Sequence, residues 1–367
     1  MKRKARLADL DPVIGLELFV LDDHLDAEVV LGPGTFFVRE SIDWDSLAIG
    51  NDGHYAAIEL TKSGVDTLAA LEALARAAGV PAENLIALGL KDASATAIQY
   101  VFARKGLVER ALPLEAEGVR ARLIGYVSRK PRRAHMLGNE FAVYFELDPR
   151  EEKRATQLID ELSRRGLPAY YGYQRFGVQR PITHILGKHA LTGREELFVH
   201  YLMASAFPLE GWEGIESRIS RSFRASGLRY ERLCRSRRYG KCSEAIERAL
   251  RGLCVDAFQA YAFNLLLNKL ARERGLEAIR GELPSLGCRS EEFQRAYSEL
   301  LRAEGVDPGV VKDPRLRCWQ RKGIFRPERL TLTCGGGTCK LSFSLERGMY
   351  ATILLRELFR DGLAVEL

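Results

Sequence analysis

The stretch that decides the fold runs Leu88-Gly89-Leu90-Lys91-Asp92-Ala93-Ser94-Ala95-Thr96-Ala97-Ile98-Gln99. An apolar run over 85–90 precedes the Lys91–Asp92 pair and predicts a buried strand that ends at these charges. Catalytic groups often lie where a strand passes into a loop, because the strand fixes the backbone while the loop faces the substrate. The Lys91 ammonium would favour the ionised form of Asp92, which a carboxylate nucleophile requires. The same pair is also typical of a turn or a helix cap.

Length and composition bound the class of protein. The chain has 367 residues, which predicts about two domains. Hydrophobic residues make up 46% and charged residues 28%, as in folded globular proteins, and the net charge of +6 permits a polyanionic partner. The sequence lacks an apolar run of about 18 residues and a signal-peptide pattern, so we expect a cytoplasmic protein with no membrane contact.

Basic residues concentrate in three stretches, which span 129–133, 224–241 and 312–329. Such stretches suit contact with nucleic acid, because guanidinium groups bind phosphate oxygens in pairs. The alternative is that each stretch is a solvated loop or face. Taken together, the three stretches favour a nucleic-acid partner.

The order of predicted elements indicates an α+β fold with a helical insertion. Up to about residue 165, alternating apolar positions predict strands with interspersed helices, and hence a mixed sheet covered by helices. From residue 166 the pattern is mostly helical, and strand patterns return only near residue 330. We therefore expect a sheet domain formed by 1–165 and 330–367, interrupted by an insertion over 166–329.

One early helix is defined at both ends. Asp66 or Thr67 is placed to cap its start, and Gly79 to end it. The positions spaced for a single buried face are Leu68, Leu71, Leu74 and Ala78.

The seven cysteines all lie in the second half of the chain, and their odd number argues against a secreted disulfide framework. Cys334 and Cys339 flank a glycine turn, a spacing open to a zinc site or a local disulfide. No matching Cys/His pair has the spacing of a zinc ribbon. We therefore expect free thiols and no metal site.

Four further motifs share the chain with Lys91–Asp92. They are Thr35-Phe36-Phe37-Val38-Arg39-Glu40, Gly138-Asn139-Glu140-Phe141, Gly172-Tyr173-Gln174-Arg175-Phe176-Gly177 and Tyr350-Ala351-Thr352 followed by Arg356-Glu357. In this order, the five motifs resemble those of the TruD family of pseudouridine synthases. The resemblance covers nearly the whole chain.

This resemblance implies a pseudouridine-synthase domain with a mixed or antiparallel sheet flanked by helices, and a family-specific, largely helical insertion that forms an RNA-holding cleft. It implies isomerisation of a uridine in RNA to pseudouridine, with uridine 13 of tRNA as the first position to consider. No cofactor or metal is needed, in keeping with the absence of dinucleotide and P-loop motifs. We expect a monomer with no obligate protein partner.

By the same resemblance, Asp92 is the nucleophile or essential carboxylate and Lys91 its neighbouring cation. Whether Asp92 attacks the sugar or acts there as a base stays open. The target uridine has to leave its stack to be reached, at a cost of a few kcal/mol.

The resemblance also places Phe36, Phe141 and Tyr350 in the base pocket, where aromatic rings can offset that cost. Ordinary strand packing is the alternative for Phe36 and Phe141, which occupy alternating positions of apolar strands. Asn139 would bind the uracil edge or order the Asp92 loop, and Gln99 would tie that loop. The residues expected to contact RNA are Arg129, Lys130, Arg132, Arg133, Arg175, Arg235, Arg237 and Arg238, with Arg175 equally open to a structural role.

Six positions depart from the family pattern, namely Val30, Thr35, Ala93, Ala97, Glu146 and Ala169. Ala93 stands where relatives carry a basic residue and Val30 where they often carry lysine, so RNA contacts differ here. The main alternative function is a non-catalytic tRNA-binding or RNA-folding protein on the same scaffold, for which a lost carboxylate would be the sign. Asp92 is present. An RNA nuclease would need clustered carboxylates or paired histidines, which the sequence does not show.

Overall fold

In the computed structural model, which describes residues 4–91, 94–178, 180–203 and 239–366, ten strands form the central sheet. The strands in chain order are β1 (Lys4–Arg6), β2 (Val29–Leu31), β3 (Phe36–Ile42), β4 (Ile49–Gly50), β5 (Tyr55–Ser63), β6 (Ile86–Ala87), β7 (Thr96–Arg104), β8 (Leu114–Ala116), β9 (Val119–Val127), β10 (Met136–Glu146), β11 (Leu167–Pro168), β12 (Glu282–Pro284), β13 (Gln320–Lys322), β14 (Ile324–Phe325), β15 (Glu328–Gly335), β16 (Thr338–Glu346) and β17 (Leu363–Glu366). The helices are α1 (Asp11–Ile14), α2 (Trp44–Leu47), α3 (Thr67–Ala78), α4 (Glu152–Arg165), α5 (Thr183–Leu191), α6 (Glu195–Met203), α7 (Tyr239–Arg274), α8 (Glu291–Ala303) and α9 (Ala351–Phe359).

The central sheet has the order β15-β16-β10-β3-β7-β5-β9-β4, with β6 on β7 and β8 on β9. The β3–β7 pair is parallel and the other pairs of this sheet are antiparallel, which confirms the predicted α+β class with a mixed sheet. Strand β16 pairs with β10 and β15 pairs with β16, so the last part of the chain completes a sheet that the first part began. The domain boundaries at 166 and 330 stay a prediction, because one core cluster contains Tyr170, Leu266 and Leu354 together.

The predicted limits of helix α3 are confirmed, but its predicted buried face is not. The Asp66 carboxylate accepts the Ala69 N–H at 2.8 Å, and Gly79 ends the helix with a positive φ of 68°. Leu71 and Leu74 are buried, whereas Leu68 is exposed. The first turn of α3 therefore presents an apolar side chain to solvent.

The strand predicted over 85–90 is wrong in its extent. Only Ile86–Ala87 pairs with β7, and Leu90 is exposed. The reason is competition for one strand edge. Strand β3 occupies that edge of β7 along Thr96–Ile98, so the chain of β6 has to leave the sheet after two residues.

The part of the chain with a mostly helical pattern contains one long helix. This helix, α7, packs against α5, α6 and α8. Gly252 does not interrupt it. In the described part of the chain, no helix is both long and apolar enough to cross a membrane.

Four cysteines form disulfides, which corrects the expectation of free thiols. The bonds join Cys288 to Cys318 and Cys334 to Cys339. The second bond follows from strand register, because Cys334 lies directly opposite Cys339 in the β15–β16 hairpin. Cys254 is a buried free thiol.

A buried ionic network connects α1 and α9 with the segment 169–182, which follows β11 and which we call the aromatic loop. Arg356 on α9 pairs with Asp11 on α1 at 2.5 Å, and the Tyr173 hydroxyl donates to the other oxygen of Asp11 at 2.5 Å. The neighbouring Glu357 accepts two backbone N–H groups of the N-terminal segment, at 2.8 and 2.7 Å. Burial raises the pKa of both carboxyl groups despite these partners. The motif residues Arg356 and Glu357 therefore serve the fold.

We expect His184 to make the fold acid-sensitive. Its ring lies 5.1 Å from that of Phe176 and 4.8 Å from that of Tyr261, and burial lowers its pKa from 6.5 to about 3. The unfolded chain binds this proton more readily, so the stabilising contribution is complete above pH 6.5 and falls by about 1.4 kcal/mol per pH unit below it. Urea unfolding between pH 4.5 and 6.5 should show a flatter pH slope for His184→Phe. The exposed His54→Phe control should keep the slope of the parent protein, and equal slopes in all three would contradict the assignment.

Candidate active site

The site begins with a gap in the sheet. Strand β7 pairs with β3 up to Ile98 and with β6 from Val101. The Tyr100 N–H therefore has no hydrogen-bond partner on the β3 or β6 backbone. The Glu40 carboxylate on β3 accepts this N–H through Oε2 at 3.0 Å. A backbone donor that the sheet cannot satisfy is thus satisfied by a buried side chain.

The other oxygen of Glu40 holds Lys91. The Lys91 Nζ atom lies 2.7 Å from Glu40 Oε1, and the two side chains are 10% and 0% exposed. Lys91 is the last described residue before Asp92, which together with Ala93 lies outside the described residues. The motif alone predicted no separate role for Glu40. The sequence feature that points to one is a carboxylate at a buried position of β3 whose neighbours on the same face are apolar.

The backbone of Lys91 is fixed by helix α3. The Lys91 N–H donates to Thr67 Oγ1 at 2.7 Å, and the Thr67 N–H donates to the Lys91 carbonyl at 3.2 Å. The Thr67 hydroxyl lies 2.9 Å from Gln99 Oε1, to which it can donate. Gln99 is thereby connected to the loop through Thr67.

Gly89 lets the ion pair form. A Cβ atom at this position would lie 2.9 Å from Met136 Sδ, 3.0 Å from Glu40 Oε1 and 3.1 Å from Lys91 Nζ. Any side chain here would displace the ammonium or the carboxylate. The glycine before Leu90 is therefore a packing requirement of the site.

Three phenylalanines on adjacent strands form a stack. Phe141 lies between Phe36 and Phe343, with ring centroids 5.9 and 5.1 Å away and planes within 6° and 22° of parallel. Phe36 and Phe343 are buried, whereas Phe141 is partly exposed. Phe141 is therefore the member of the stack that solvent can reach. Phe343 was not predicted as a site residue. It joins the stack because it lies directly opposite Phe141 in the β10–β16 register.

Asn139 lies on the same face as the ion pair. It is directly opposite Glu40 in the β3–β10 register, and opposite residues of an antiparallel pair share a face. Its Oδ1 atom is buried and has no hydrogen-bond partner among the described residues, and the same holds for Gln99 Nε2. One acceptor and one donor are therefore unsatisfied beside Lys91.

Tyr350 belongs to a second aromatic group, at the start of α9. Its ring lies 6.1 Å from that of Tyr171, and the Arg321 guanidinium stacks on Tyr171 at 4.1 Å. Arg321, on β13, also donates to the carbonyls of Ala169 and Gly348 at 2.8 and 2.9 Å. A Cβ atom at Gly172 would lie 2.9 Å from Tyr350 Cδ1. The place of Tyr350 in a base pocket stays a prediction.

The predicted RNA-contacting residues divide into three groups. Arg129, Lys130, Arg132 and Arg133 are exposed on the loop between β9 and β10. Arg175 is half-buried, 3.7 Å from Asp256, which supports its structural alternative. Arg235, Arg237 and Arg238 lie outside the described residues.

Part of the basic stretch over 312–329 has partners within the protein. Arg321 is buried, and Arg315, Lys322 and Arg329 form ion pairs at 2.6, 2.7 and 2.8 Å. Their partners are Asp313, Glu346 and Glu140. Contact of this stretch with RNA stays a prediction.

Comparison with known proteins settles the family. The family model for tRNA pseudouridine synthase D (TruD) matches residues 15–284. The chain belongs to the TruD family. Members are pseudouridine synthases, so this chain is an isomerase with an RNA substrate, and the predicted resemblance is confirmed.

Individual relatives agree with this assignment. A probable tRNA pseudouridine synthase D of Archaeoglobus fulgidus is 27% identical over 423 residues, covering 97% of this chain and 100% of that protein. That of Thermococcus onnurineus is 31% identical over 402 residues, covering 90% and 94%. The crystal structure of a TruD protein from Methanosarcina mazei matches with a TM-score of 0.64 at 21% identity, covering 94% of this chain and 96% of that one. This last match shows that the TruD fold is shared.

We expect Glu40→Gln to damage both stability and turnover. The amide can still accept the Tyr100 N–H, but the nearly buried Lys91 loses its counter-charge, which costs about 3 kcal/mol of folding free energy. The displaced loop should lower kcat about 100-fold. Urea unfolding and steady-state kinetics measure the two effects.

Two further variants sharpen this test. Glu40→Gln/Lys91→Met should recover stability without recovering kcat. It removes the unpaired charge, but it does not restore the ion pair that positions the loop. Glu28→Gln, which breaks the exposed pair with Lys4, should change stability by less than about 0.5 kcal/mol. A parental kcat in Glu40→Gln would show that the pair does not position the loop.

Proposed function

We propose that this TruD enzyme converts a uridine of tRNA to pseudouridine in the cytoplasm, with uridine 13 as the first position to test and Asp92 as the essential carboxylate. The observation that carries the proposal is the anchored Lys91. Its ammonium is fixed by Glu40, on the face that holds Asn139 and Phe141, and its backbone by Thr67. Asp92 is the next residue in the sequence.

The groups on this face suit a uracil. The Asn139 Oδ1 atom can accept the uracil N3–H, which would satisfy an otherwise unpartnered buried acceptor. The partly exposed Phe141 ring offers an aromatic contact to the base. Phe36 supports Phe141 from one side. Lys91, already neutralised by Glu40, acts as a fixed hydrogen-bond donor at the substrate.

The reaction balances without a co-reactant. The N1–C1′ bond breaks, the detached uracil turns, and C5 bonds to C1′; the C5 proton is lost and N1 gains one. Asp92 acts at the sugar, either by attack on C1′ or as a base. A carboxylate has to be ionised for either role.

The exposed basic loop between β9 and β10 is proposed to contact the RNA backbone. Arg129, Lys130, Arg132 and Arg133 form no ion pair in the described part of the chain. Together with the insertion over 166–329, this loop would flank a cleft on the catalytic face.

Pseudouridine mapping on unmodified tRNA transcripts, with no cofactor or metal added, tests the reaction, the residue and the position together. The parent protein should form pseudouridine, Asp92→Asn should form none while binding tRNA within about twofold, and a transcript with cytidine at position 13 should be inert. Asp52→Asn, at an exposed carboxylate, should keep full activity. Tight binding without product by the parent protein would favour a non-catalytic RNA-binding function. Product at another uridine would move the target position.

The RNA contact has its own test. We expect Arg132→Gln/Arg133→Gln to weaken tRNA binding and to reduce the slope of log Kd against log salt by about 1.5, because each lost phosphate contact removes about 0.7–0.9. Arg76→Gln/Arg110→Gln removes the same charge from exposed positions outside the loop and the insertion, and should leave the slope unchanged. Equal slopes in both variants would contradict the assignment of this loop.

A further inference from the structure

Arg321 on β13 is a buried cation that bonds to backbone carbonyls. The residue is 8% exposed and forms no ion pair within the described ranges. Its Nε atom donates to the Ala169 carbonyl at 2.8 Å, Nη1 to that of Gly348 at 2.9 Å and Nη2 to that of Tyr170 at 3.3 Å. A buried charge needs such acceptors, because it has lost its hydration. Each nitrogen of the guanidinium is thus committed to a carbonyl of the protein.

These carbonyls belong to two segments that are distant in the sequence. Ala169 begins the aromatic loop and lies 152 residues before Arg321, whereas Gly348 lies between β16 and α9, 27 residues after it. The planar guanidinium presents N–H groups in several directions, so one side chain can bond to both segments. The Arg321 backbone is itself fixed, because β13 pairs with β12. We call this set of hydrogen bonds the guanidinium bridge.

The bridge extends to the contact between Tyr171 and Tyr350. The guanidinium carbon lies 4.1 Å from the centroid of the Tyr171 ring, a cation–π contact. The Tyr350 ring lies 6.1 Å from that of Tyr171, with an angle of 61° between their planes. The next residue, Gly172, also packs closely, since a Cβ there would lie 2.9 Å from Tyr350 Cδ1. Tyr350 is therefore packed against the loop that Arg321 holds.

Tyr350 also follows directly on a strand of the candidate site. Leu345 of β16 lies opposite Asn139 on β10. The turn 347–350 comes next and contains both Gly348 and Tyr350. The guanidinium bridge acts on this turn through the Gly348 carbonyl. Loss of the bridge would therefore move Tyr350 relative to the strand pair that carries Asn139.

We propose that Arg321 is a positioning residue for Tyr350 in the reaction of this enzyme. It holds the aromatic loop and the turn 347–350 at a fixed separation, and so keeps the Tyr350 ring where it meets the base. This inference rests on the proposed function and on the predicted place of Tyr350 in the base pocket. Arg321 is buried among carbonyls and aromatic rings, so its effect on turnover passes through Tyr350.

A double-mutant cycle tests this dependence. Arg321→Lys keeps the charge but cannot bond to the carbonyls of both segments, and Tyr350→Leu removes the ring. On a tRNA transcript, each single variant should lower kcat/KM about tenfold, the size of one lost aromatic contact to a base. The double variant should show the same loss, instead of the loss of about a hundredfold that independent effects would give. All three variants should divide the loss between kcat and KM in the same proportion.

Two further variants control for stability. Arg154→Lys alters another arginine that joins two segments, with bonds to Glu151 at 2.7 Å and to the His24 carbonyl at 3.1 Å, and it should leave kcat/KM unchanged. Gly172→Ala keeps the guanidinium bridge but adds a methyl group 2.9 Å from Tyr350 Cδ1. It should lower kcat/KM in the parent protein and change it by less than about twofold in the Tyr350→Leu background.

The outcomes separate this inference from the proposed function. Independent effects of Arg321→Lys and Tyr350→Leu, or a parental kcat/KM in either one, would show that Arg321 serves the fold alone. If the parent protein forms no pseudouridine, the proposed function fails and the cycle is measured in the Kd for tRNA. Coupling in Kd would then still support the positioning role, and independent effects would overturn it. If Arg321→Lys does not fold, the comparison of Gly172→Ala in the two backgrounds decides the question.

Discussion

The active site depends on one carboxylate that has two partners. Glu40 accepts the Tyr100 N–H, which the gap between β3 and β6 leaves without a strand partner, and it neutralises the nearly buried Lys91. Each task is a physical demand of the interior, since an unpaired amide and an unpaired ammonium are both costly there. A glutamine would meet the first demand only. Sheet geometry and the position of Lys91 are therefore linked through the same side chain.

Several motif residues serve the scaffold. Arg356 and Tyr173 meet at Asp11, and so connect α9, the aromatic loop and the first helix. Arg321 on β13 donates to the carbonyls of Ala169 and Gly348, which precede Tyr171 and Tyr350 in the chain by two residues each. A family motif thus identifies residues that the fold requires together with residues that the chemistry requires, and only the contacts distinguish them.

The sequence predicted elements whose signals are local. The alternating pattern of β3 and the cap of α3 depend on neighbouring residues, and both were placed correctly. The exposed Leu90 could not be predicted, because it results from competition between β3 and β6 for one edge of β7. The partners of Lys322 and Arg329 are 24 and 189 residues away along the chain, so their composition alone predicted free cations. The Phe36–Phe141–Phe343 stack likewise requires the strand order.

The fixed position of Lys91 has a kinetic meaning. Glu40 holds its ammonium and Thr67 its backbone, so this cation is in place before any RNA arrives. Asn139 lies on the same face and carries a buried acceptor without a partner among the described residues. Groups that are placed in advance do not have to be ordered when the substrate enters, so their effect falls on the chemical step and not on binding alone.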